Sequence, residues 1–320
     1  LSAVLEPHVS RSVTLHLKGD WGMANLHRVC GWLSQELIDR SGPHTRTAIW
    51  SAKGALDSVR AVGRGEVDIA LATPASFVTG ALTGLPPYTR EHYPNLRALG
   101  VVPQRDRLVV AVDAALGITS MAQLRERRPA LRVATAAHDG ASFIGLGAHE
   151  LLAHSGVDVL GWGGRFVTDE RPWAAFEQIR AGHANAIVQE AIMLPPWQEI
   201  GRQLTFLPIE DAVLTALEAE FGWRQATVPA GHFPNCARFR TLDFSDFLVL
   251  TRTDLPEDVA YALAWILGET RDKLERQYRH IPPERSPVTY PLDPVRMGQT
   301  PVPLHDGAAA YYQAKAGCRV

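Results

Sequence analysis

The chain has 320 residues, 46% hydrophobic and 21% charged, with a formal net charge of −2. This is an ordinary globular composition, enough for one large or two medium cores. It supplies no broad positive field for nucleic acid or an anionic membrane, so any charged partner must be gripped locally.

In chain order, strand and helix signals alternate. VTLHL (13–17) reads as a strand and Met23 to Asp39 as a helix, with Leu26, Val29, Cys30, Leu33, Leu37 and Ile38 on one side. TRTAIW (45–50) is a strand, Leu56 to Val62 a helix ending at Gly63 and Gly65, and VDIALAT (67–73) a continuous apolar strand suited to a parallel sheet. A short helix follows Pro74, and LRALGVV (96–102) and RLVVAV (107–112) complete the block. The pattern then restarts. Ser120 caps a helix over 121–127, LRVATA (131–136) is a strand, and Ala141 to Ser155 is a helix closed by Gly156. Strand, helix and strand follow at 158–167, 172–181 and 185–189, then helix 196–200, strand 204–209 and helix 210–221. Residues 240–252 form one long strand-like run, 257–277 a strong helix, 282–303 a proline-rich surface stretch, and 306–316 a last helix.

Repeated strand–helix–strand units predict two doubly wound α/β domains. The expected division is 1–112 plus 245–320 against 113–244, with strands near 107–113 and 244–251 as a two-strand hinge. The C-terminal helices are expected to fold back on the first domain.

Two stretches carry the chemistry. In LHLKGDWGMANLHRV (15–29) and in LRVATAAHDGASFIGLGAHELL (131–152), an apolar strand feeds a glycine turn and then a helix. Each turn offers free amides and the positive end of a helix dipole, a setting for a carboxylate held from both sides of a cleft. The expected ligand set is Gly19, Asp20, Trp21, Trp50, Ser51, Thr73, Ser76, His138, Asp139, Gly140, Ser142, Phe143, Gln189 and Glu190. In it the backbone after Gly19 and Gly140 and the hydroxyls of Thr73, Ser76 and Ser142 grip the anion. Trp21, Trp50 and Phe143 flank its body, and Gln189 reads a second polar group. Phe77 and Trp197 also fall at helix starts. Glu190 would repel an anion unless it accepts from a ligand hydroxyl or amine, and Lys53 is a possible counter-charge.

Other chemistries lack their residues. The first turn reads Gly19-x-x-Gly22 rather than GxGxxG, Gly145 and Gly147 lie inside a helix, and no GxxxxGK[ST] occurs, so no dinucleotide or other cofactor is expected. Residues 140–145 are one residue too long for a nucleophile elbow. Of the four lysines, neither Lys18 nor Lys53 sits where a Schiff base would form. The histidines lack HExxH, and Cys30, Cys236 and Cys318 lack CxxC spacing, so neither a metal site nor a disulfide framework is expected. No apolar run reaches the ~20 residues of a membrane span. No signal peptide is visible, and a chain that starts at Leu1 is compatible with one already removed.

The chain resembles the TAXI family of TRAP-transporter solute receptors, which have the type II periplasmic binding-protein fold. The resemblance rests on the strand and turn at 13–22, GALDSVRAVGRGEVDIALATPASF (54–77), AAHDGAS (136–142), the loop around Gly231, LVLTRTDLPEDVAYAL (248–263) and, most specifically, PLHDGAAAYY (303–312). It implies a bilobed periplasmic receptor, a monomer and not an enzyme. Such a receptor closes by a hinge around a small organic acid, aromatic ones included, and delivers it to a TRAP-type or ABC-type permease. Met23, Ala24 and Asn25 stand where the family has tyrosines, and Asp139 where it has a serine, so a glutamate-like ligand is not implied. Two alternatives stay open: a cytosolic decarboxylase or lyase of aromatic acids using Asp20, His138 and Asp139 as acid and base, and a sensory-input domain.

Overall fold

Leu15 and Leu17 point inward while Thr14 and His16 are exposed, and this period of two makes β1 (Thr14–Gly19). The computed structural model describes residues 4–20, 25–169, 171, 173–191 and 195–317. After β1 come α1 (Asn25–Ile38), β2 (Arg46–Ser51), α2 (Ala55–Gly63), β3 (Ile69–Ala72), α3 (Gly80–Thr83) and β4 (Leu96–Val102). Then follow β5 (Arg107–Asp113), α4 (Met121–Arg127), β6 (Arg132–Ala136), α5 (Phe143–His154), β7 (Arg165–Asp169), α6 (Ala174–Arg180) and β8 (Ala186–Glu190). The chain continues through α7 (Pro195–Ile200), β9 (Leu204–Phe206), α8 (Asp211–Phe221), β10 (Gln225–Val228) and β11 (Phe239–Asp243). It ends with β12 (Phe247–Arg252), α9 (Glu257–Glu269), α10 (Arg271–Arg276), α11 (Pro294–Met297) and α12 (Asp306–Gly317).

These elements form two units, Leu1–Arg105 with Ser245–Val320, and Asp106–Phe244. The first holds a sheet ordered β2-β1-β3-β12-β4 and the second a sheet ordered β10-β11-β5-β8-β6-β7, with β9 also on β5. The two follow one plan. A parallel triplet, β2-β1-β3 or β7-β6-β8, meets an antiparallel strand that has just crossed from the other unit, β12 or β5. The sheets are therefore mixed rather than wholly parallel, because each crossing strand enters its sheet from the opposite end.

Several expectations change. The strand at 107–112 belongs to the second sheet, so the division falls at 105/106, ahead of the expected 112/113. The run 240–252 is two strands in different sheets, parted at Asp246, whose φ of 69° lies in the left-handed region that Asp tolerates better than most residues. The strand expected from 158 starts only at Arg165, because Asp158 accepts from the Gly161 amide and holds a turn. The helix 257–277 breaks at Thr270, whose hydroxyl donates to the Ile266 carbonyl at 2.9 Å and accepts from the Trp32 indole at 3.0 Å.

In the first unit α1, α9 and α12 share one apolar core that includes Cys30, Leu33, Leu263 and Tyr311. The motif His305-Asp306-Gly307 has a local cause: the His305 Nδ1 accepts from the Gly307 amide at 3.2 Å and caps α12. A Cβ on Gly307 would lie 2.2 Å from the Glu257 carbonyl oxygen, so only glycine lets α12 close on α9. Among the described residues, no helix is long and apolar enough to cross a membrane.

Candidate functional site

In the first unit the parallel strands β1, β2 and β3 bring their carboxyl ends to one edge. Gly19 lies in register with Ser51, and the Ala52 amide donates to the Gly19 carbonyl at 2.5 Å. This edge gathers Gly19 and Asp20, Trp50 and Ser51, and Thr73 with Ser76. Trp50 is 55% exposed and meets His16 edge-on at 6.4 Å, so it offers ring surface there. Ser76 is buried, and its hydroxyl has no partner among the described residues. The predicted Trp21 lies outside the described residues.

The same edge holds residues that sequence reasoning missed. Gln104, buried, donates to the Thr73 hydroxyl at 3.3 Å. Its own amide donates to Asp246, which pairs with Arg296 at 2.5 Å. A polar string thus runs from Arg296 to the end of β3, and its members lie far apart in sequence. Lys53 is exposed; its backbone amide donates to Asp57 in the first turn of α2, and Asp57 pairs with Lys18 at 3.0 Å.

In the second unit β6, β7 and β8 end together in the same way, with Ala136 in register with Asp169. His138, Asp139, Gly140 and Ser142 form the turn after β6, and Gln189 and Glu190 end β8. Gly140 has a φ of 78°, a conformation glycine adopts without strain. Gln189 is fully buried, and its side-chain oxygen accepts from the Glu190 amide at 3.0 Å; that oxygen is committed to the backbone. Arg171, not foreseen, stands just beyond β7. Its amide donates to Asp169, and its guanidinium lies over the Trp173 ring at 5.9 Å. The guanidinium also pairs with Asp169 at 3.8 Å, so Arg171 is an exposed cation beside this edge that already has a carboxylate partner.

The expected cradle of amides is largely filled by the protein's own oxygens. Asp20 accepts from the His27 amide at 3.0 Å, Asp139 from Ala141 at 2.9 Å, and the Ser142 hydroxyl from Ile144 and Gly145 at 3.2 and 3.4 Å. The Asp20 and Ser142 bonds are helix caps, which satisfy orphan donors of a first turn, and the Asp139 bond closes the turn ahead of the Ser142 cap. They fill the His27, Ala141, Ile144 and Gly145 amides and commit Asp20 and Asp139 to structure, while the turn at 21–24 lies outside the described residues. Ser142→Ala is accordingly expected to cost about 1 kcal/mol of stability in urea unfolding, while Ser142→Asn keeps most of it.

Phe143 does not flank a ligand. It is 1% exposed, and Phe77 and Trp197 are likewise core residues. A residue at a helix start can turn its ring back under the sheet, and the alternation pattern cannot tell the two directions apart. His138 is exposed, and its ring centroid sits 4.6 Å from that of His149, which stacks on Phe166 at 3.9 Å. Burial, with the neighbouring His138 adding to it, lowers the His149 pKa to about 4, so this ring is neutral at pH 7.

Glu190 resolves differently from expectation. It is part-buried and hydrogen-bonded to Asp106, the fully buried residue that precedes β5. Burial pushes Glu190 up to about 7, and burial together with the Glu190 charge pushes Asp106 well above the carboxylate range. Asp106 sits in a polar loop between two predicted strands, where nothing in the sequence distinguishes it.

The first unit also has an open cavity of about 300 Å³ at the opposite, amino edge of β1 and β3, lined in part by Arg11, Thr14, Asp68 and Arg252. Its charges are committed: Arg11 to Asp258, and Arg252 to Asp254 and to the carbonyls of Val62 and Val67. Among the described residues, no group of three or more His, Cys, Asp or Glu is placed to hold a metal.

Residues 33–315 match the family model described as the NMT1-like family. No curated protein matches the chain. Among solved structures, Xanthomonas citri XAC2383 bound to ATP is 14% identical, with 95% of this chain and 99% of that one covered and a TM-score of 0.51. R. palustris Rpa4515 with adipate is 15% identical, with 96% and 94% covered and a TM-score of 0.50. PhnD1 from Prochlorococcus marinus in complex with methylphosphonate is 14% identical, with 79% and 82% covered and a TM-score of 0.48. The likeness is one of fold: two mixed α/β sheets with helices, in the type II periplasmic binding-protein manner.

Proposed function

The chain belongs to the NMT1-like family, and from that premise we propose that it is a periplasmic solute-binding receptor for a small organic acid. It hands the acid to a membrane permease, of the TRAP type if the resemblance to TAXI receptors extends to the partner and of the ABC type otherwise. The observation that carries this reading is the repeated strand-end plan. In each unit the carboxyl edge of a parallel triplet collects polar side chains at the place where open α/β sheets take ligands. The donors are Thr73 and Ser76 in the first unit and His138 and Arg171 in the second, with Trp50 as the exposed ring. They bind and orient, and no covalent step is asked of them.

Thermal unfolding against a panel of mono- and dicarboxylates tests this, with adipate first and amino acids and sulfonates as controls. An acid at 100 times its Kd adds about 2.7 kcal/mol, read as a rise of several degrees in Tm. Ser76→Ala and Arg171→Ala are each expected to weaken the hit at least roughly tenfold, the worth of a hydrogen bond to a charged group. Equal shifts in wild type and both variants would sink the site assignment. Turnover of the hit, seen by mass spectrometry, would make the protein an enzyme.

A further inference from the structure

The carboxyl pair Asp106–Glu190 lies at the edge where the second unit's parallel strands end, yet a carboxylate there opposes an anionic ligand. Glu190 closes β8, and β5 runs antiparallel beside it with Leu108 in register with Glu190. The Ala191 amide donates to the Arg107 carbonyl at 2.7 Å and locks the two strand ends together. Asp106 is fully buried, and Glu190 as a residue is part-buried.

The charged groups set against the pair are Arg107 on β5 and Asp243 on β11. The Arg107 amide donates to Asp106 at 2.7 Å. Its guanidinium goes elsewhere, to Asp243 at 3.2 Å and to the carbonyls of Asp106 and Thr227 at 2.5 and 3.4 Å. From α7, Trp197 donates to the Glu190 carbonyl rather than to its carboxyl group. Two touching carboxyls whose neighbouring cation is aimed at a third must hold protons between them, because two like charges in contact cannot both ionise.

We propose that Glu190 reads the ligand's carboxylate as a protonated acid, with Asp106 holding the inner carboxyl neutral behind it, so that the receptor takes up one proton with each anion near neutral pH. The outer O–H of Glu190 donates to the ligand. When that proton leaves, Glu190 becomes a carboxylate that accepts from Asp106 and repels the anion. The inference rests on reading the chain as an organic-acid receptor and adds a specificity rule to it: carboxylate anions bound together with one proton, in preference to cations.

The test uses the full chain, with adipate and benzoate as probes, at pH 6 and pH 8. With Glu190 titrating at about 7, wild-type affinity is expected to fall about tenfold over that interval, as for any binding that requires one proton on a group of that pKa. Calorimetry of the wild type at pH 8, in two buffers of different ionisation heat, should show close to one proton taken up per ligand. Glu190→Gln, whose amide donates at every pH, is expected to bind equally at both. Asp106→Ala should shift the midpoint of the profile upward, by removing the hydrogen bond that Asp106 donates to the Glu190 carboxylate. Wild-type binding that is equal at both pH values with no proton uptake overturns the proposal and leaves the receptor standing. So does a Glu190→Gln variant that keeps the wild-type profile. No binding of either probe, or of any acid in the panel, at either pH overturns the receptor reading and this proposal with it.

Discussion

Gly145→Ala is expected to lower the stability of the second unit by about 3 kcal/mol, near the upper end for overpacking a tight site. A Cβ at this position would lie 2.0 Å from the Ala137 carbonyl oxygen and 2.6 Å from its carbon. Both are backbone atoms where β6 leaves the sheet, so no side chain can swing away. The first turn of α5 would have to lift from the strand end, taking the Ser142 cap and the whole 138–142 turn with it. The first unit repeats the device with the glycine on the strand instead: a Cβ on Gly19 would meet the backbone of Leu26 and His27 at 3.1 Å. Urea unfolding checks the prediction, with Gly31→Ala as its counterpart of opposite sign. Gly31 lies mid-helix in α1 with nothing within 4 Å of a new Cβ, so alanine there should gain about 0.5–1 kcal/mol from helix propensity alone. A Gly145→Ala variant as stable as wild type would mean that α5 does not press on the strand end.

Glu190→Gln is expected to make the protein more stable than wild type at pH 8 and to flatten its stability profile below that. The sign follows from proton binding. The folded state holds the Glu190 proton up to about pH 7, whereas the unfolded chain releases it near the ordinary value of 4.5. The folded state therefore binds more protons across that window, and stability falls as pH rises through it, levelling off above about 7. From 4.5 to about 7 the loss is on the order of 3 kcal/mol, at 1.36 kcal/mol for each pH unit. Tm measured from pH 5 to pH 8 should fall in wild type beyond the trend of the variant. Parallel wild-type and Glu190→Gln curves would show that the carboxyl is solvated and ionised at neutral pH. Glu91 has the opposite sign: hydrogen bonds from Tyr93, Arg64 and Arg60 outweigh its burial and lower it to about 2. Its contribution is present above pH 4.5 and fades only as the pH falls toward 2.

Much of the candidate site could be placed from sequence, because strand ends are local features. VTLHLKG and LRVATA announce where β1 and β6 stop, and the glycines that follow mark the turns. The atoms inside those turns were harder to assign. A Ser or Asp at a helix start serves equally as a cap or as a ligand donor, since both roles need a short polar side chain near free amides. In this fold Asp20 and Ser142 cap, and Asp139 closes the turn ahead of Ser142. Phe143 shows the same ambiguity for apolar groups: one position in sequence allows either a cleft or a core, and the core buries more of the ring.

Local pattern by itself determined the alternation of strands and helices, the two strand–turn–helix openings, the α/β class and the return of the chain after the second block, because periodicity and turn chemistry act over a few residues. Only the tertiary structure decided that β5 and β12 each join the sheet they cross into, that 240–252 divides between two sheets, and that Arg171 and the Arg296–Asp246–Gln104–Thr73 string stand at strand ends. It also decided that Asp106 meets Glu190. Those outcomes depend on which strands pair across long separations in sequence and on how deeply a carboxyl is buried, and neither is encoded by the residues beside it.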